Sequence, residues 1–153
     1  MSKANSTTTT DLLALESQVC FALAVASRRV VALYRPLLEP MGLTHPQYLV
    51  MLALWQHEPL SLRRLSELVS LDPTTLSPLV KRLEAIGYVV RQRDPHDERN
   101  LNVRLTTEGR NLRRRALKIP PAIMGRLGMT IDELQNLNTI LTDVISRTRG
   151  LEE

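Results

Sequence analysis

Residues 72–106 read DPTTLSPLVKRLEAIGYVVRQRDPHDERNLNVRLT, and the change of period inside this stretch decides the fold. Asp72 followed by Pro73 is a helix N-cap with proline at the first helical position. Leu76, Leu79, Val80 and Leu83 then recur at helical spacing, and Gly87 supplies the stop. Beyond Gly87 the pattern alternates. Residues 88–93 and 101–106 read as strands, the second with Leu101, Val103 and Leu105 inward against Asn102 and Arg104 outward. Asp94 to Asn100 form a charged hairpin tip between them.

Working outward, Ser61 opens a short helix bearing Leu62, Leu65 and Leu68. Before it, Thr44-His45-Pro46-Gln47 has the form of a capping box, followed by Leu49, Leu52 and Trp55 at helical spacing. Two short helices, a tight turn, a well-capped helix and a hairpin make the order of a winged helix-turn-helix. Further toward the N-terminus, Leu15, Val19, Leu23, Ala26, Val30, Leu33 and Leu37 recur every three or four residues. Phe21, Ala22, Val25, Val31, Ala32 and Leu38 lie off that stripe, so the helix is apolar over most of its circumference. Such a helix is buried on more than one side, and in so small a chain a partner subunit is the simplest second cover. Pro36 is expected to kink or end it.

On the C-terminal side, Thr106 or Thr107 caps a helix carrying Arg110, Arg113, Arg114, Arg115 and Lys118, which Pro120-Pro121 interrupts. Thr130 and Glu133 form a second capping box, opening a last helix with Leu134, Leu137, Leu141 and Val144 on one face. The expected architecture is mainly α with a small β-hairpin. One domain spans residues 12–153 behind a polar, disordered tail over 1–11. Residues 12–43 and 119–148 are expected to dimerise, and 44–109 to form the winged lobe.

The composition fits this. A chain of 153 residues with 43% apolar content can bury one core, and with only five aromatic residues that core is aliphatic. The net charge of +4 favours a polyanionic partner without establishing one. The single cysteine, Cys20, excludes an intrachain disulfide and points to a reducing compartment, so a cytoplasmic location is expected. No apolar run approaches a bilayer span, so no membrane partner is expected. His57 and His96 lack neighbours at ligand spacing, so neither a metal nor a cofactor is expected.

Thr74, Thr75, Ser77, Lys81 and Arg82 fall largely away from the apolar face of the 73–86 helix. Small hydroxyls at a helix N-terminus can approach base edges closely, while Lys81 and Arg82 can reach phosphates. Charge alone equally describes a solvated face. The hairpin shifts the balance, because Arg91, Arg93 and Arg99 gather guanidinium groups around one protruding loop, suited to a narrow minor groove.

The run Leu71-Asp72, Thr75-Leu76, Leu79, Lys81-Arg82-Leu83-Glu84 and Gly87, continued by Arg93, Asp97-Glu98-Arg99, Leu105-Thr106 and Gly109, resembles the MarR family of bacterial repressors. Gln18, Cys20-Phe21, Ala26-Ser27-Arg28, Tyr34-Arg35-Pro36-Leu37-Leu38 and Thr44, Pro46-Gln47-Tyr48-Leu49 resemble its organic-hydroperoxide-sensing branch. The resemblance runs from about Leu12 to the last helix. It implies a homodimer on a pseudo-palindromic double-stranded DNA operator, with Arg99 entering the minor groove and Asp97 bracing the wing. It also implies that Cys20 senses organic hydroperoxide, its thiolate held by two tyrosines of the other subunit. Tyr34 fills the first of those positions; His45 stands in the second, and Ala24 stands where a tyrosine is frequent. With no second cysteine, the chain is similar to the one-cysteine type, which needs an external small thiol to complete the switch.

A lone cysteine on an apolar helix is also an ordinary packing residue, and His45 could equally face solvent in a first turn. Three rival functions remain at this point. A thiol peroxidase would use Cys20, but Leu13 stands where a peroxiredoxin motif has proline, and the cysteine is expected mid-helix. A repressor of this family could instead be released by a noncovalent ligand, often an aromatic acid. A DNA-binding protein of little sequence preference is the third.

Overall fold

Thr44, Ser61, Thr106 and Thr130 each open a helix by accepting from a backbone N–H of its first turn. In the computed structural model, which describes residues 11–151, the helices are α1 (Val19–Leu38), α2 (His45–His57), α3 (Leu62–Val69), α4 (Pro73–Ile86), α5 (Thr107–Ala116), α6 (Ile119–Leu127) and α7 (Ile131–Thr148). The strands are β1 (Leu60–Ser61), β2 (Val89–Arg93) and β3 (Leu101–Leu105). Of the segment read as a tail, all but Asp11 lies outside the described residues.

Both capping boxes form. The backbone N–H of Thr44 donates to Gln47 Oε1 at 2.9 Å, which explains how Gln47 can be buried. Thr130 and Glu133 make the same reciprocal pair at the start of α7. Ser61 caps α3 and Thr106 caps α5. Asp72 occupies the N-cap of α4 without a side-chain bond; its carbonyl instead accepts from the N–H groups of Thr75 and Leu76.

Two expectations are corrected, the start of α1 and the burial of Leu101, and two are refined. α1 begins at Val19 rather than Leu15, because residues Leu15–Ser17 form a separate 3₁₀ turn and the Gln18 side chain folds back onto the carbonyls of Leu12 and Ala14. Of the two outcomes expected at Pro36, a kink or an end, the end comes two residues later: α1 runs on to Leu38 before a 3₁₀ turn and left-handed Gly42 close it. The expected hairpin forms from β2 and β3, and β1 joins it in a three-stranded antiparallel sheet in the order β1-β3-β2, with Leu60 opposite Val103 and Val89 opposite Leu105. A two-residue strand has no period to detect. Leu101 is exposed, because its end of the hairpin, where it pairs Arg93, extends past the core.

The core is one aliphatic cluster. Leu38, Met41 and Leu43 cover Val50, Met51 and Leu54 of α2, with Leu65 of α3 and Leu76, Val80 and Leu83 of α4. Val89, Val103 and Leu105 close it from the sheet, and Leu112, Ala116, Ile119 and Ile123 from α5 and α6. Each such leucine or isoleucine contributes about 1.5–3 kcal/mol. The two long helices at the ends of the described chain take less part, α1 adding the partly buried Leu33, Tyr34 and Leu37. α1 buries only Leu38, and α7 buries nothing. Val19, Phe21 and Leu23 of α1 and Leu137, Ile140, Val144 and Ile145 of α7 stand exposed.

Gly109 joins the wing to the helices. A Cβ there would lie 2.1 Å from the Tyr88 carbonyl oxygen, a backbone atom that is itself held by the Thr106 N–H. The Gly109 carbonyl accepts from Trp55 Nε1 at 2.9 Å, which anchors α5 to α2. Gly109→Ala must push these elements apart, and a loss of about 3 kcal/mol in a urea melt is expected. A variant as stable as the parent would show that the approach is not constrained.

Candidate nucleic-acid interface and thiol site

α4 presents two chemically different faces. Leu76, Val80 and Leu83 point into the core, while Thr74, Thr75, Lys81 and Arg82 are exposed and Ser77 is half-buried. The sharp turn before α4 lets its N-terminus project. Ser70 adopts a left-handed conformation with φ 53°, and the Ser66 hydroxyl donates to the Leu71 carbonyl.

The wing is braced by its own acidic side chains. The Asp94 N–H donates to the Asn100 carbonyl at 2.8 Å, and Asp94 Oδ1 accepts from the His96 N–H. Asp97 Oδ1 accepts from the Arg99 N–H at 3.1 Å, and its other oxygen from Asn100 Nδ2 at 3.2 Å. Asp97 thus organises the backbone around Arg99 while leaving the guanidinium alone. Among the described residues, the side chains of Arg93 and Arg99 make no hydrogen bond or ion pair, and both are exposed.

Arg91, expected to contact DNA, is engaged within the lobe instead of standing free. Its Nε and Nη2 donate to the two carboxylate oxygens of Glu84, each at 3.2 Å, and its backbone N–H donates to Glu84 Oε2 at 3.0 Å. The hydrogen bonds from the Arg91 side chain and then its N–H hold the Glu84 carboxyl below the ordinary carboxylate range. Glu58 does similar work on β3. One oxygen accepts from the Leu105 N–H at 2.7 Å and the other from Arg110 Nε at 2.9 Å. Sequence reasoning assigned no role to Glu84 or Glu58, because Glu84 reaches Arg91 across a turn and Glu58 reaches Leu105 and Arg110 from a distant part of the chain, neither at a spacing that marks a pair.

Cys20 is exposed in the first turn of α1, not mid-helix as expected, because α1 starts late. Tyr34 and His45 come together, with ring centroids 4.9 Å apart and planes at 64°. Tyr48, part of the quoted resemblance but given no role there, completes the group at 5.8 Å from Tyr34. His45 is therefore half-buried at the start of α2 rather than facing solvent. Burial pushes the Tyr34 and Tyr48 phenols up and the His45 imidazole down, so all three rings are neutral near pH 7. They can donate hydrogen bonds to an anion without adding a charge. Beside them lies a cleft of about 360 Å³, walled by Val31, Leu43, Pro46 and the His45 ring, with Arg28 and Arg35 at its edge.

Among the described residues no three His, Cys, Asp or Glu side chains gather as a metal site, and no helix is long and apolar enough to cross a membrane.

Residues 43–101 match the MarR family. The chain is 39% identical over 131 residues to the organic hydroperoxide resistance transcriptional regulator of Bacillus subtilis, covering 86% of this chain and 89% of that one. It is 42% identical over 146 residues to the HTH-type transcriptional regulator TtmR of Methylorubrum extorquens, covering 93% of this chain and 75% of the other. Among solved structures, reduced AbfR of Staphylococcus epidermidis bound to DNA superimposes with a TM-score of 0.71 at 32% identity, covering 87% and 93% of the two chains. With this likeness over nearly the whole length, and with the capped α4 and braced wing in place, the chain belongs to the MarR family.

Proposed function

We propose that this chain is a homodimeric transcriptional repressor that releases its operator when an organic hydroperoxide oxidises Cys20. One observation carries the DNA-binding part: α4 exposes small hydroxyls and cations beside a wing whose backbone is braced by Asp97 and whose Arg99 guanidinium is unengaged among the described residues. Thr74, Thr75 and Ser77 face base edges in the major groove, Lys81, Arg82 and Arg93 meet phosphates, and Arg99 enters the flanking minor groove. A twofold dimer demands a pseudo-palindrome with half-sites about 10 base pairs apart. α1 and α7 form the dimer, since their exposed apolar side chains have no cover within the chain.

The sensor is composite. Tyr34 lies 14 residues after Cys20, about 21 Å along a helix rising about 1.5 Å per residue, so the two cannot meet within one chain. An antiparallel partner delivers Tyr34 and His45 to Cys20. The thiolate sulfur attacks the hydroperoxide, taking one oxygen as sulfenic acid and releasing the alcohol. A small thiol then displaces water to leave a mixed disulfide. The added bulk shifts the lobes out of groove register. The chain acts in this way as a cytoplasmic regulator, not as an enzyme. The test is a DNA-binding titration of reduced protein with and without stoichiometric organic hydroperoxide, followed by intact mass. Release with addition of one oxygen or one thiol per chain is expected; oxidation without release would refute the mechanism.

A second reading has its own observation. A cleft of about 300 Å³ lined by Tyr48, Leu52, Trp55 and Ala116 carries Arg113, a setting for a noncovalent acid. A Cys20→Ser protein released by such a ligand would favour it.

His45 adds a pH dependence. Its folded-state pKa is lowered by burial, so the unfolded chain takes up the proton first as pH falls. Its contribution is full above about pH 6.5 and is lost on acidification below that. The melting temperature of His45→Gln is expected to vary less between about pH 7 and pH 5 than that of the parent. Parallel profiles would show that His45 does not titrate in the folded protein.

A further inference from the structure

β2 is an edge strand, paired with β3 on one side only. The outward N–H groups of such a strand are open to water or to another chain. At Arg91 that N–H is occupied by the Glu84 carboxylate, which also grips the Arg91 side chain through both oxygens. Three bonds from one residue thus tie the middle of the wing strand to the last turn of α4. Charge-assisted, paired bonds of this kind fix orientation as well as distance. The pair is half-buried, with 25% and 37% of the two side chains exposed, so water screens it less than a surface ion pair.

We infer that Glu84 is a specificity-determining residue: it holds the wing in register with α4 and withdraws the Arg91 cation from the DNA-facing surface. This inference rests on the DNA-binding reading above. Two groove-reading parts give selectivity only while their separation is fixed. A free guanidinium on the wing would instead bind a phosphate on any sequence, raising non-specific affinity and its salt dependence. Because Glu84 is held below the ordinary carboxylate range, the clasp is present at neutral pH and is lost only as pH falls through that lowered value.

The test uses full-length protein and two duplexes, one selected by the wild type from a randomised pool and one shuffled to the same composition. Glu84→Gln keeps the size and an acceptor oxygen but removes the charge. It is expected to bind the shuffled duplex several-fold more tightly, with a salt slope steeper by about 0.9 for each further phosphate neutralised. Affinity for the selected duplex should fall, so that the ratio of the two drops about tenfold. Adding Arg91→Gln should abolish the non-specific gain without restoring the selected affinity. Simple loss of structure would weaken both duplexes together, and that result would overturn the inference. So would an unchanged ratio and salt slope in Glu84→Gln, or a non-specific gain that survives in the double variant. A wild type that selects no sequence would instead overturn the DNA-binding reading itself.

Discussion

Arg99→Ala is expected to lower operator affinity about a hundredfold while leaving the thermal melt unchanged. The Arg99 side chain is exposed, and only its N–H is bonded, to Asp97, so its removal costs the fold little. In the complex, each dimer carries two copies. Removing a charge-assisted hydrogen bond of about 1.5 kcal/mol from each lobe gives about 3 kcal/mol, or two decades in affinity. Anisotropy titration at physiological salt measures it. Affinity within twofold of wild type would remove the wing from the mechanism. Asp97→Ala should mimic part of this effect, because the turn that aims Arg99 loses its acceptors. Arg93→Ala serves as the contrast. Without that cation a phosphate goes unneutralised, which weakens all sequences alike and makes the salt slope shallower by about 0.9 per phosphate.

Cys20→Ser is expected to bind the operator as tightly as wild type and to ignore organic hydroperoxide altogether. Serine is close to cysteine in size, and the first turn of α1 is separate from α4 and the wing, so the DNA-reading surface is unchanged. The nucleophile is gone, and the response falls to background rather than by a factor. Tyr34→Phe keeps the ring against His45 and removes one hydrogen-bond donor. A bond of about 1 kcal/mol stabilising the attacking thiolate slows oxidation about fivefold when it is removed. Stopped-flow oxidation followed by DNA release reads both variants. A Cys20→Ser protein that still leaves DNA on peroxide treatment would end the sensing claim and leave the repressor claim standing.

The parts of this molecule that were legible in sequence are those governed by local chemistry. Thr44 with Gln47, Ser61, Thr130 with Glu133 and Gly87 each announce a helix end through bonds made within a few residues. The exposed face of α4 and the wing arginines followed from the same periodicities. What stayed hidden depends on distance through space. β1 exists only because β3 lies beside it, and Arg91 is held by Glu84, which folds back across a turn. The start of α1 was misplaced because Leu15 continues the apolar stripe while the backbone there makes a 3₁₀ turn. The His45–Tyr34–Tyr48 group joins two helices, so no spacing in one of them could reveal it.

The absence of any buried residue in α7 links folding to abundance. Helices in proteins draw most of their stability from packing of an apolar face, so α7 gains its hold when a second chain covers it. Folding and association then become one equilibrium, governed by mass action. The midpoint of thermal unfolding should rise with protomer concentration, each tenfold increase contributing about 1.4 kcal/mol per mole of dimer. A cell making little of this protein would hold it partly as unpaired, protease-sensitive chains, so occupancy of the operator would fall more steeply than the expression level itself.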